Sequence, residues 1–193
     1  MEVGFRTCIR GEGNRDYLDP SLDLDANFTA MSIDRLENFN ASGYRIGLVK
    51  VRNGEIICGN DYDFSPIKLT KKIQKELGKE KVDNLMSLPS FDRIWPEIEH
   101  YFDIHFGVVY RFGEETGILS YLLNSYDIQI SFIDFAYAQS KTLKKWESYL
   151  EEIGEECEKD ECYKKALIVA EAWMNGENSD QLKYLRKRLS YKL

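Results

Sequence analysis

Charged side chains are clustered in this 193-residue chain, and the clusters are where chemistry could happen. Lys68, Lys71, Lys72 and Lys75 recur at i, i+3, i+4 and i+7, which puts four ammonium groups on one face of a helix. Such a face either contacts phosphates or is the solvated side of a helix whose Leu69 and Ile73 point to the core. Lys183, Arg186, Lys187, Arg188 and Lys192 form a second basic group, with Leu182, Leu185 and Leu189 along one side. That helix would dock a partner, grip nucleic acid or pack on the domain. Glu155, Glu156, Glu158, Asp160 and Glu161 make an acidic run. It lacks the regular ligand spacing and turn glycine of a calcium loop, so it reads as a solvated loop that would repel a nucleic-acid backbone.

Other reactive residue types are sparse. His100 and His105 are the only histidines, and their surroundings suit structural roles. Cys8, Cys58, Cys157 and Cys162 form no Cys-x-x-Cys pair, so ordinary reduced thiols in the cytoplasm are expected rather than a zinc site. Trp95, Trp146 and Trp173 fit the apolar faces of amphipathic helices better than base-stacking platforms.

Hydrophobic residues make up 43% of the chain, enough for a sizeable core, and charged residues make up 31%. The net charge of -7 argues against a surface that attracts nucleic acid everywhere, though not against one basic groove. No apolar run reaches the roughly 18 residues of a membrane span. Met1 to Arg15 is polar and unlike a secretory signal, which leaves a cytoplasmic protein as the expectation.

The elements that must position these groups follow from apolar spacing. Residues 1–25 read as an irregular extension punctuated by Gly4, Gly11, Gly13 and Pro20. Residues 28–33 read as a buried strand, Tyr44 to Val51 as a second, and Glu55 to Cys58 as a third returning after the turn Asn53-Gly54. Leu69, Ile73 and Leu77 suit one helix. Phe91, Ile94, Ile98 and Phe102 suit the next, with Ser90 as its N-cap. A short strand at His105 to Tyr110 precedes a helix with the stripe Ile118, Leu119, Leu122 and Leu123. Ile128 to Phe135 supplies a last strand. Helices follow at Leu143 to Ile153 and around Ala166, Leu167, Ala170 and Trp173, and Ser179 caps a final one from Leu182 to Leu193. This order predicts an α/β domain with a mixed five-stranded sheet flanked by helices.

The segment Phe28-Thr29-Ala30-Met31-Ser32-Ile33-Asp34, followed by Arg45-Ile46-Gly47-Leu48-Val49-Lys50-Val51, resembles the first two strands of the DnaQ-like 3′–5′ exonucleases. Pro89-Ser90-Phe91-Asp92-Arg93-Ile94-Trp95-Pro96-Glu97-Ile98 resembles a helix of that family. The resemblance covers residues 28–175. It implies a ribonuclease H-like exonuclease domain there, an extension at 1–27 and a basic helix at 176–193.

In the active family, four carboxylates hold two divalent cations and a further residue activates water. The first strand supplies Asp-x-Glu, because residues two apart share a face. Here those positions hold Ser32 and Asp34. Glu115 falls at the third carboxylate, Lys165 at the fourth, and Asp160 at the base. Tyr110, Arg111 and Phe112 fall in the loop where the family meets its substrate, so ring stacking and a phosphate contact are candidate roles for them. The resemblance therefore implies a degenerate site that binds a nucleic acid or protein partner, with no cofactor expected and no membrane role.

Pairing of Lys165 with Asp34 or Glu115 would fill the place of a metal ion; projection of Lys165 into solvent is the alternative. Two other functions stay open. One is an active exonuclease using magnesium or manganese on Asp34, Glu115 and Asp160, helped by Glu37 or Glu114. The other is an unrelated α/β protein whose acids share no site.

Overall fold

The run Phe28–Arg35 carries small or apolar residues at most positions, the composition of a strand covered on both faces. It forms β2, at an interior position of the sheet, and its first six residues are buried. The computed structural model describes residues 7–10, 21–109, 111, 113–138 and 161–176, and at 7–10, 131, 132 and 161 the backbone alone. The predicted helices at 143–153 and 182–193, Trp146, and the acidic run before Glu161 lie outside the described residues.

β3 (Gly43–Arg52) runs antiparallel to β2, with Ser32 opposite Gly47 and Asp34 opposite Arg45. The turn to β4 (Glu55–Asp63) is the expected Asn53-Gly54 pair, at φ 53° and 76°. Both angles are left-handed, which matches the twist of a two-residue hairpin. β4 is longer than the expected Glu55 to Cys58. Its second half, Gly59-Asn60-Asp61-Tyr62-Asp63, has the polar composition of a loop and is held as a strand by pairing to β3. The register shifts once, so that Ile57 is an extra residue in β4.

The lysine-rich segment folds as two short helices, α1 (Lys71–Leu77) and α2 (Lys79–Met86), joined at Gly78. Neither contains a buried residue. Leu69 is buried but precedes α1, and α2, with no strong apolar stripe, was not signalled by spacing.

α3 (Phe91–Ile98) continues as a 3₁₀ turn, Glu99–Phe102, and Phe91, Ile94, Ile98 and Phe102 are all buried as their spacing predicts. The Ser90 hydroxyl makes no cap bond; its carbonyl instead accepts from the Arg93 N–H at 3.0 Å. β5 (Phe106–Val109) follows, then α4 (Glu115–Ser125), whose Ile118, Leu119, Leu122 and Leu123 are buried. β6 (Ile130–Tyr137) and α5 (Glu161–Met174) complete the described elements.

The expected five strands are present, and a sixth joins them. β1 (Thr7–Arg10) lies in the stretch read as an irregular extension and pairs antiparallel with β6, giving the order β1-β6-β5-β2-β3-β4. Its four residues carry no sustained alternation, so only pairing across the sheet identifies it as a strand. Residues ahead of β2 also belong to the domain. Leu24 is 2% exposed, and its carbonyl accepts the Trp173 indole N–H at 2.9 Å.

β5 runs parallel to both β2 and β6, so these three strands end at one edge of the sheet. On one face Met31, Ile33, Ile46, Leu48 and Val109 pack with α3, α4 and the 3₁₀ turn. On the other, Phe28, Ala30, Val49, Val51, Phe106 and Val108 pack with Ala166, Val169, Ala170 and Trp173 of α5. The described elements thus form a layered α/β fold with a mixed sheet.

α5 sits close on the sheet because β3 has no side chain at position 47. A Cβ built on Gly47 would lie 2.3 Å from the Cys162 carbonyl carbon and 2.4 Å from the Tyr163 nitrogen. Both are backbone atoms, which cannot swing aside as a flexible side chain would. Gly47→Ala should therefore lift the first turn of α5 and destabilise the fold by about 2 kcal/mol or more, beyond the middle of the range for overpacked cores. Urea unfolding of the two proteins measures this, and equal midpoints would contradict the packing described.

Candidate functional site

Ser32 and Asp34 lie two apart on β2 and share its α5 face. The cluster they form sits toward the carboxyl ends of the parallel strands, the usual place for a ligand in an open α/β sheet. Glu115 enters from the first turn of α4 and is 3% exposed. Its Oε1 accepts from the Ser32 hydroxyl at 2.8 Å and from the Ile33 N–H at 3.3 Å. Its Oε2 accepts from the Arg111 N–H at 2.7 Å. Burial raises the Glu115 carboxyl to about 7 despite these three donors.

Lys165, on the second turn of α5, places its Nζ 2.6 Å from Asp34 Oδ1. This is one of the two pairings its position allowed, and the partner is Asp34 rather than Glu115. The side chains are 35% and 17% exposed, so the pair is half-buried rather than freely solvated. Tyr44 is the nearby phenol; burial raises its pKa, and the charge of Asp34 raises it further.

Four residue positions singled out in the sequence, Ser32, Asp34, Glu115 and Lys165, are thus linked through contacts on β2. Tyr110, Phe112 and Asp160 lie outside the described residues. Arg111 contributes its backbone N–H, while its side chain is 65% exposed and lies 3.7 Å from Glu114. Glu114 also pairs with Arg35 at 3.0 Å. Glu37 is committed elsewhere: Oε2 accepts from the Thr70 N–H at 2.8 Å, and Oε1 accepts the Thr70 hydroxyl. Neither carboxylate is directed at Asp34.

Several participants carry no sequence signal of their role. Cys162 donates its thiol to the Ser32 carbonyl at 3.0 Å, and burial pushes that thiol far above its ordinary range, leaving it un-ionised. The spacing of Cys157 and Cys162 says nothing of this contact, and Gly47 opposite Ser32 is its nearest sequence clue. The Glu37–Thr70 link joins residues 33 apart and ties the loop after β2 to the start of α1.

That loop borders a pocket of about 570 Å³ lined by Phe39, Asn40, Ala41, Lys68, Thr70 and Tyr121. Its volume is in the usual range for a small-molecule site, but it is an open depression rather than an enclosed cavity. The histidines stand apart from these features: the His100 carbonyl accepts from Lys50 at 2.8 Å, and the His105 carbonyl accepts from the Asp134 N–H at 2.9 Å. Trp95 and Trp173 are buried, as expected of core residues.

Among the described residues, no group of three or more His, Cys, Asp or Glu side chains is placed to hold a metal ion. No helix among them is long and apolar enough to cross a membrane. The sequence matches no protein-family model and no curated protein. Fold and site together define an α/β domain with a compensated acid cluster at the carboxyl ends of its parallel strands.

The Glu115 carboxyl makes stability depend on pH in a stated direction. Below pH 4.5 the group is protonated in both the folded and the unfolded chain. Between pH 4.5 and about 7 the unfolded chain releases a proton that the folded chain keeps, so stability falls as pH rises. Above about 7 the loss is complete, on the order of 3 kcal/mol for a rise of that size. Glu115→Gln should be less stable at every pH, because its amide NH₂ meets one of the donors now facing the carboxylate. It should also lack this slope. Chemical denaturation of both proteins from pH 4 to 8 reads the difference, and parallel curves would show that Glu115 titrates normally.

Proposed function

We propose that this chain is a ribonuclease H-like domain of the DnaQ-like exonuclease lineage that binds a nucleic acid or protein partner without hydrolysing it. The observation that carries this reading is the Lys165–Asp34 contact at 2.6 Å. An ammonium occupies the hydrogen-bonding reach of the carboxylate that the resemblance assigns to a dication. The element order also supports it: the antiparallel strands β2, β3 and β4 are followed by helices α1 to α3 and then by β5, α4, β6 and α5.

The described residues of the cluster do not fit a two-metal site. Hard divalent cations need several converging anionic or carbonyl oxygens. Ser32 brings a neutral hydroxyl to the first position and donates it to Glu115. Glu115 has both oxygens engaged and a carboxyl raised to about 7, so near neutral pH its negative charge is only partial. Asp34 is held by Lys165. A dication entering here would meet one paired carboxylate, one buried carboxyl and a cation, and no hydrolytic step follows from that set.

Incubation of a fluorescent single-stranded oligonucleotide with the protein and manganese should give no shortened product. Isothermal titration should find no tight binding of two ions. Hydrolysis that disappears in Asp34→Ala would instead establish a metal-dependent exonuclease with altered ligands and defeat the binding-only reading.

A further inference from the structure

The site absorbs neither the pocket beside the loop at 37–42 nor the two helices that follow it. Residues 68–86 hold Lys68, Lys71, Lys72, Lys75, Lys79 and Lys81 against only Glu76, Glu80 and Asp83. This 19-residue stretch is therefore net +3 in a chain of net -7. A solvated helix normally covers core with its other face. Here α1 and α2 hold no fully buried residue: Ile73, Leu77, Val82 and Leu85 are half-buried, and every other residue of the two helices is exposed.

Their lysines are exposed. The ion pair Lys72–Glu76 at 3.9 Å joins two well-solvated side chains and holds the lysine loosely.

The pocket is continuous with this basic surface. Thr70, at the N-cap of α1, and Lys68 just before it both line the pocket. The other walls bring two rings, Phe39 from the loop after β2 and Tyr121 from α4, the latter 38% exposed. The walls are held from several sides. Lys68 N–H donates to the Ala41 carbonyl at 3.0 Å, Thr70 is fixed by Glu37, and Asn40 Nδ2 donates to the Gly117 carbonyl at 3.2 Å. Aromatic rings next to a row of ammonium groups are the two parts of a surface that stacks bases and tracks a phosphate backbone.

Resting on the non-hydrolytic function proposed above, we infer that the α1–α2 lysines together with the Phe39–Tyr121 pocket form the binding surface for a single-stranded nucleic acid. One base would enter between Phe39 and Tyr121, Lys68 would meet its phosphate, and the neighbouring phosphates would follow Lys71 and Lys75. The repulsion expected from a chain of net -7 is avoided because contact is confined to its locally positive lobe.

Fluorescence anisotropy of a labelled oligothymidylate in EDTA, over a salt series, tests this. Wild type should bind with affinity falling steeply as salt rises. The variant K68A/K71A/K75A should lose more than tenfold in affinity and about 2 in the log–log salt slope, at roughly 0.7 per phosphate contact. Phe39→Ala and Tyr121→Ala should each weaken binding on the order of tenfold with the slope unchanged, because stacking releases no counterions. Circular dichroism confirms that each variant is folded.

Failure of wild type to bind, or lysine variants that bind like wild type, would overturn the assignment. Equally tight binding of polyglutamate would also overturn it, by showing a surface for acidic polypeptides instead. A parallel arm with manganese separates the two proposals: cleavage of the probe there defeats the non-hydrolytic reading, while the EDTA arm still decides where the strand lies.

Discussion

The closeness of α5 to the sheet at Gly47 is the constraint on which the rest of the site depends. With no Cβ at that position, the backbone of Cys162 and Tyr163 rests against β3. That contact fixes the register of the helix over β2 and β3. Cys162 then reaches the Ser32 carbonyl, and Lys165, one turn later, arrives at Asp34. A helix standing farther off would leave Asp34 facing water. The same packing carries Ala166, Val169, Ala170 and Trp173 onto the second core, so core packing and the pairing of Asp34 are set by one approach.

Charges in the acid cluster are settled by internal partners. At about 4 Å and an effective dielectric near 20, an ammonium and a carboxylate attract by about 4 kcal/mol before desolvation is counted. Full burial would offset most of that gain, whereas the half-buried Lys165–Asp34 pair keeps part of its hydration. Glu115 follows the other route. It is almost fully enclosed, and burial outweighs three hydrogen-bond donors, so its carboxyl holds a proton to unusually high pH. Elsewhere Asp103 shows the contrasting balance: burial pushes its carboxyl up, but hydrogen bonds from Lys50 and Arg52 outweigh that and hold it below its ordinary value.

Much of the fold was legible because its main elements bury regular stripes. Ile118, Leu119, Leu122 and Leu123 announce α4, and Asn53-Gly54 announces the hairpin between β3 and β4. Elements without such stripes were not legible. β1 is too short to alternate, α2 holds no fully buried residue, and the polar end of β4 is a strand only because β3 pairs with it. Of the positions singled out in the sequence, Ser32 meets Glu115 and Asp34 meets Lys165. The bond from Ser32 to Glu115, the thiol of Cys162 and the capture of Glu37 by Thr70 depend on distances between remote segments. Composition and spacing do not encode those distances.

The displaced register at Ile57 has a consequence for how the molecule behaves in a crowd. An open sheet ends in two rows of unpaired peptide groups, and a long flat row invites another chain to add on. Here one terminal strand has only four residues, and the other is kinked by its extra residue and carries Glu55, Asp61 and Asp63. Ile57, although 57% exposed, sits at the kink, where an incoming strand cannot keep step. Growth into fibres is thereby discouraged at both ends of the six strands that the described residues form.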